Sequence, residues 1–319
     1  MRYDAMFDPT LRGLRVFEAA AAACSFSRGA EVMGMTQSAV SQQIRQMEVE
    51  LGKRLFDTQA RPIQLTDAGR ELLHHARTIL AQVNIAVDAM GSLDGQFTGL
   101  LHLGAVSPAN YFTPRLMAAF RARFPRVRMK LTVASRDVLL TLLAERRVDL
   151  VIGGFPPAHA DIEAEAFARH PHCLVASASH RLAGQRGLPW NELRDEPFIF
   201  REAGSSTRLF LEHLLQAQGL RFNAGVELQG NETVKQAVIA GMGISFLSAH
   251  VFQGELRAGL LKVLDVEGLP RWLDWCVLQS RDRVLSDVQF AFREFVLKEG
   301  AGLVACELGT VQLPQALPA

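Results

Sequence analysis

The sequence predicts a multi-domain α/β chain: a mainly helical N-terminal unit, one long connecting helix, and a C-terminal pair of α/β lobes that enclose a cleft. Three observations predict it. From Leu11 to about Leu93, apolar residues recur at steps of three and four with no sustained alternation, which is the period of helices. Between Gly91 and Gly99 a stretch rich in glycine and polar residues breaks that pattern. Beyond it, strand-like and helical stretches alternate in the rhythm of a sheet with right-handed crossovers.

Bulk composition sets the frame for these elements. At 319 residues the chain exceeds one ordinary core, and 49% apolar with 21% charged residues excludes a disordered or fibrous protein. A net charge of +1 provides no bulk attraction to nucleic acid, so any such binding must rest on a local element. Asp4 and Asp8 stand where a signal peptide carries basic and then apolar residues, and no run of about 18 apolar residues follows. A cytoplasmic protein without a membrane partner is expected. Cys24, Cys173, Cys276 and Cys306 form no CxxC pair, which suits reduced thiols.

The strongest local signal lies at 27–48. Ser27 is placed to cap a short helix ending at Met33, Gly34 permits a sharp turn, and Thr36 is placed to cap a second helix. Along that second helix Val40, Ile44, Met47 and Leu51 form one apolar stripe that packs on an upstream helix through Leu11, Leu14 and Phe17. The opposite face carries Gln37, Ser38, Ser41, Gln42 and Arg45, side chains suited to base edges and phosphates of a major groove. Periodicity alone fits a solvated amphipathic helix pair equally well. The motifs go further: FEAA at 17–20, SFSRGAE at 25–31, TQSAVSQQI at 36–44, Glu48, LGKRLF at 51–56 and LTDAG at 65–69 resemble, in order, the DNA-binding domain of LysR-type transcription regulators.

That resemblance implies a winged helix-turn-helix over 1–66, with 56–66 as the wing. Asp57, Thr58 and Gln59 replace the arginine-bearing wing tip of many members, leaving Arg61 as the nearest cation. Arg28, Thr36, Arg45, Lys53, Arg54 and Arg61 join the polar face as expected contacts to double-stranded promoter DNA. Residues 67–94 read as a linker helix with apolar positions from Ala68 to Met90, a seam that must pack on another helix. The family implies that this helix pairs two chains as a dimer, with a homotetramer through the effector domains, and RNA polymerase as a further partner of an activator.

Residues 95–300 read as the effector domain, with lobe I near 99–169 and 270–300, lobe II near 170–269, and a tail over 301–319. The resemblance makes it periplasmic-binding-protein-like. Ligands of α/β sheets collect at strand carboxyl ends, where helix N-termini converge. The candidates there are Ser107, Pro108, Ala109, Arg136, Gly154 and Phe155 in the first lobe, and Glu202, Gly204, Ser205, Thr207, Arg208, Asn231 and Glu232 in the second. Hydroxyls and guanidinia at a helix start suit an anion.

Tyr111 with Phe112, DLVIGGFPP at 149–157, HPH at 170–172, FIFRE at 198–202, GSSTR at 204–208, KQAV at 235–238 and GMGISFLS at 241–248 look like the CbbR branch, whose members regulate carbon-fixation operons of the Calvin cycle. The implied effector is a phosphorylated or anionic metabolite or an NADPH-like nucleotide, for which Arg136, Arg201, Arg208 and Lys235 suit; no bound cofactor is expected. A metal at 170–173 is not expected, because adjacent residues of a strand point to opposite faces and no second pair lies at zinc-site spacing. The hydroxyls at 205–207 lack a nucleophile-elbow context, and the glycines at 241 and 243 are too few for a dinucleotide fingerprint. The alternative is a solute-binding protein or enzyme built on the same cleft without DNA binding.

Overall fold

The computed structural model describes residues 7–92, 97–154, 161–220 and 224–308, and the chain divides into two compact units, Met1–Met90 and Gly91–Ala319. In the first, α1 (Leu11–Ala23), α2 (Phe26–Met33) and α3 (Gln37–Leu51) are followed by the strands β1 (Phe56–Asp57) and β2 (Gln64–Leu65) and the long helix α4 (Asp67–Ser92). Each of the three short helices starts on a hydroxyl that accepts a first-turn amide: Thr10 from Gly13, Ser25 from Arg28 and Thr36 from Ala39. The cap of α2 is thus Ser25 and not Ser27, because the backbone is extended at 25 and already helical two residues later. Gly34 and Gly52 end α2 and α3 in the left-handed conformation that glycine adopts without strain.

Leu14, Phe17, Val40, Ile44, Met47, Leu55 and Phe56 form the core of this unit, with the Phe56 ring edge-on to Phe17 and Phe26. Burying a side chain such as Phe17 contributes about 2–3 kcal/mol. Ala76 and Leu80 of α4 are buried in the same core. The compact unit therefore extends beyond residue 66, and the first half of α4 is part of it. Elsewhere on α4, Ile79, Val87 and Met90 are exposed.

One carboxylate ties α3 to the hairpin. Glu48, only 9% exposed, accepts from the Leu55 amide at 2.8 Å and the Phe56 amide at 3.3 Å, and its other oxygen meets Arg54 at 3.3 Å. Thr66 donates to the Arg54 carbonyl at 2.6 Å and caps α4 by accepting from Gly69. At Gly69 a Cβ would overlap the Leu55 carbonyl oxygen, so this crossing requires glycine.

In the second unit, β3 (Gly99–Val106), α5 (Thr113–Arg123), β4 (Val127–Ala134), α6 (Arg136–Ala144) and β5 (Leu150–Gly154) give parallel pairs β3 with β4 and β3 with β5. The 16-residue strand β6 (Ile162–Ser177) follows, then β7 (Phe198–Arg201), α7 (Ser206–Ala217), β8 (Ala224–Leu228), α8 (Asn231–Ile239), β9 (Ser245–Ser248), α9 (Ala249–Arg257), β10 (Leu261–Val263), β11 (Arg271–Ser280) and α10 (Asp287–Leu308). The order of the main sheet is β10-β6-β11-β5-β3-β4, with β9 also on β6, while β7 and β8 form a separate parallel pair. Two lobes result. The first lobe gathers Leu103, Phe120, Ile152, Trp275 and Phe292; the second packs both faces of its strands, with Leu174, Phe198 and Phe246 in one cluster and Val175, Val238 and Phe252 in the other. Strands β6 and β11 run through both lobes. Helix α10 continues to Leu308 with Val304 buried in the first core, so residues 301–308 are helix and not the tail expected from sequence.

Replacing Glu48 by alanine leaves the Leu55 and Phe56 amides without their acceptor, a loss of about 1–3 kcal/mol. Hydrogen–deuterium exchange should show faster exchange at 55–66, while Glu48→Gln, which keeps an acceptor oxygen, stays near wild type.

Candidate functional sites

The first site is the outer face of α3. With Val40, Ile44 and Met47 buried, the helix geometry turns Gln37, Ser38, Gln42 and Arg45 to solvent and leaves Ser41 half-buried. Gln37 donates to Ser41 at 2.8 Å, and the Thr36 and Ser38 hydroxyls lie 3.0 Å apart, so the first turn is held as an ordered array of donors and acceptors. Arg28, Lys53, Arg54 and Arg61 are exposed; Arg54 shares its charge with Glu48. Eight basic and seven acidic residues precede Asp67, so attraction to phosphate depends on where these cations sit and not on their sum.

The second site is a cavity of about 110 Å³ in the second unit, between the two cores. It lies at strand carboxyl ends: Val106 ends β3 and Ser107 and Pro108 follow it, Ala134 ends β4 and Ser135 and Arg136 follow it, and Gly154 ends β5. Arg201, Glu202 and residues 204–207 face them from β7 and the start of α7. Of the residues expected from sequence, Ser107, Pro108, Arg136, Gly154, Glu202, Gly204, Ser205 and Thr207 line the cavity. Ser135 and Ser205 stand at the starts of α6 and α7 without making a side-chain capping bond, which leaves both hydroxyls and the first-turn amides available. The Arg136 Nε is buried with no hydrogen-bond partner among the described residues.

Other expectations are corrected. Arg208 does not line the cavity: it is held by Glu212 at 2.7 Å, Glu227 at 2.5 Å and the Arg201 carbonyl at 3.0 Å. Glu232 is turned outward and pairs with Lys235 at 2.9 Å, and Lys235 also meets Glu255 at 2.5 Å. Ala109 is fully buried beneath the lining, its carbonyl accepting from Thr113. Asn231 is one layer back, donating to Ser107 Oγ at 3.0 Å and accepting from Arg201. Phe155 lies outside the described residues. Arg201 is fixed by a bidentate pair with Glu202 at 2.7 and 2.6 Å. Burial raises the Glu202 carboxyl, but its bonds to Arg201 and the Gly230 amide outweigh this and hold it below the usual carboxylate range.

Residues absent from the expected set form the floor: His170, His172, Leu273 and Trp275. His170 stacks on Trp275 at 3.9 Å between ring centres, the two imidazoles are 4.7 Å apart, and His250 of α9 lies 6.0 Å from His170. Immediate neighbours along a strand point to opposite faces. His170 and His172 are two apart and share a face. Burial pushes all three imidazoles down, His170 well below its ordinary value, His172 to about 3 and His250 to about 4.

These rings therefore make stability depend on pH. They are neutral in the fold, while in the unfolded chain they protonate below about pH 6.5, so the unfolded state binds more protons as pH falls. The stability is fully present above that value and declines toward the folded-state values. For His172 or His250 the loss at about pH 5 is roughly 2 kcal/mol per ring. Thermal unfolding at about pH 7 and 5 should show this fall, with a shallower fall for His250→Gln.

Comparison with known proteins meets both sites. Residues 11–70 match the model of the bacterial regulatory helix-turn-helix protein, lysR family, and residues 94–301 match the LysR substrate binding domain. A RuBisCO operon transcriptional regulator from Allochromatium vinosum is 41% identical over 300 residues, covering 94% of this chain and 99% of the relative. The HTH-type transcriptional regulator CbbR of Rhodospirillum rubrum is 43% identical over 286 residues, covering 90% and 95%. The regulatory domain of Synechocystis PCC6803 CcmR, solved in complex with 2-PG, aligns at 32% identity and TM-score 0.60, over 63% of this chain and 96% of that one. Full-length CbnR with its target DNA shares the fold, at 21% identity and TM-score 0.64 over 90% and 98%. The regulator names of the sequence relatives remove the enzyme or solute-receptor alternative. With one family model over the helix-turn-helix, another over the cleft unit, and relatives above 40% identity along nearly the whole length, the chain belongs to the LysR family of DNA-binding transcription regulators.

Proposed function

We propose that this chain controls carbon-fixation genes, reading promoter DNA through Gln37, Ser38, Ser41, Gln42 and Arg45, with Arg28, Lys53, Arg54 and Arg61 on the phosphates. The observation that carries the DNA reading is the exposed polar face of α3 opposite its buried row of Val40, Ile44 and Met47. The names of the relatives, regulators of RuBisCO operons, support the gene class. The cavity receives a compact phosphorylated anion. Its volume favours a small metabolite over a dinucleotide, and the 2-phosphoglycolate (2-PG) bound by the CcmR domain is the first candidate. Exposed Ile79, Val87 and Met90 support pairing of α4 with a second copy, as a dimer within a tetramer. Binding acts in the cytoplasm, and the bound state favours one assembly over another through its differential affinity, with RNA polymerase as the downstream contact.

Two experiments test this. In gel shifts on the chain's own upstream promoter region, Gln37→Ala and Arg45→Ala should each weaken binding by roughly 10- to 100-fold, the loss of a good base or phosphate contact. Retained wild-type affinity in folded variants would remove the α3 assignment. In calorimetric titration with 2-phosphoglycolate, inorganic phosphate and NADPH, Arg136→Ala should weaken anion binding by roughly tenfold or more. Arg208→Ala, already engaged by Glu212 and Glu227, should keep it.

A further inference from the structure

We propose that His170 and His172 are specificity-determining residues that read the charge of the ligand, an anion in the cavity being bound together with a proton taken up by this imidazole pair. The inference rests on the cleft reading above and adds a chemical requirement to it.

The geometry carries the argument. Both rings project from β6 into the cavity, and each keeps one buried nitrogen, His170 Nε2 and His172 Nδ1, with no hydrogen-bond partner among the described residues. The other His170 nitrogen, Nδ1, lies 3.2 Å from Ser248 Oγ, which fixes the ring and turns Nε2 toward Gly154 of the cavity lining. Gly154 keeps the space before that nitrogen open, since a Cβ there would come within 3.2 Å of it. Unpaired buried polar atoms are costly, and a ligand oxygen brought to them relieves that cost.

The charged groups around the pair set the sign. Arg136 faces it from α6, the Arg201–Glu202 pair from the end of β7, and the His250 imidazole from α9. Strand β11 brings only Leu273 and Trp275 to the lining, and β9 brings the Ser248 hydroxyl. Glu202 is engaged by Arg201 and the Gly230 amide, so among the described residues no carboxylate is left to hold a proton on the imidazoles. Burial keeps them neutral in that state. An anionic oxygen within hydrogen-bond reach reverses the preference, because opposite charge favours the imidazolium that desolvation disfavours. The two rings lie close enough that one imidazolium excludes a second. At most one proton per cavity follows.

The test is calorimetric titration of the full-length protein with 2-phosphoglycolate at about pH 7, in buffers of different ionisation enthalpy, which counts protons exchanged on binding. Wild type should take up more protons than a His170→Gln, His172→Asn variant, whose affinity should be roughly tenfold lower. Equal proton counts overturn the inference while leaving the cleft reading intact. Should the variant fail to fold, imidazole nitrogen NMR on the wild type decides: an imidazolium pattern appearing at saturation supports the inference, and two rings that stay neutral overturn it. If neither 2-phosphoglycolate nor inorganic phosphate binds, the cleft reading fails and this inference fails with it.

Discussion

Antiparallel pairing of β6 with β11 is the constraint on which the second unit depends. Ten residues of β11, from Arg271 to Ser280, pair with β6 from His172 back to Ile162, and the two strands carry the chain from one core to the other. The first core takes Phe167, Trp275 and Val277 from them, and the second takes Leu174, Val175 and Ala176. Two lobes that share a pair of strands move relative to each other chiefly by bending or twisting that pair. The ladder is irregular between Trp275 and Cys276, where one extra residue of β6 is accommodated, so the bend has a natural place beside the ring stack of His170 on Trp275. Cavity floor and lobe connection are thus built from the same residues.

This double duty explains the polarity of the site. A floor that is also a packed junction cannot carry uncompensated charge, since isolated buried charges cost several kcal/mol. The floor accordingly uses imidazole and indole, aromatic rings that pack like Phe112 and Phe246 around them yet keep a polar edge. Full charge is confined to the walls. Arg201 is neutralised by Glu202 and held by Asn231, whereas the Arg136 guanidinium, at the start of α6, has its Nε unpartnered among the described residues. Under the proposed function, a preference of the cavity for an anion rests on Arg136, two uncapped helix starts and the neutral donors between them.

Much of this was legible in the sequence, and the failures have physical causes. The stripe of Val40, Ile44 and Met47 sits at helical spacing in a short helix with its own cap and terminating glycine, so local pattern sufficed. The strand ends Ser107, Gly154 and Gly204 were legible because cavity position follows from strand order. The first half of strand β6 was not legible. Its first ten residues set Glu163, Glu165 and Arg169 among alanines that are half-buried at 164 and 168 and exposed at 166, and their pairing partner is β11, more than 90 residues away. The floor was missed for the same reason, since Trp275 and His250 reach His170 only through tertiary pairing. Arg208 misled because a guanidinium at a helix start signals an anion site equally well when its partners are Glu212 and Glu227.

The first unit presents a complementary problem, a helix-turn-helix of a DNA-binding family with little net charge. Eight basic against seven acidic residues before Asp67 leaves a single chain with weak long-range attraction to a polyanion. Glu48 sharpens the point, because the carboxylate that anchors the hairpin also engages Arg54. Under the proposed function the exposed cations supply a few phosphate contacts, and each contributes through counterion release only when it is close to the backbone. Two such units on one duplex double those contacts while the ordering of the second head becomes intramolecular, which raises affinity without any new kind of contact. Under the proposed function α4 serves that purpose: Ala76 and Leu80 lock it rigidly to the reading head, and Ile79, Val87 and Met90 remain outside, available to a second chain. A helix anchored in this way transmits any change in its pairing to the position of α3, so weak binding by one head is the condition that makes the spacing of two heads a control variable.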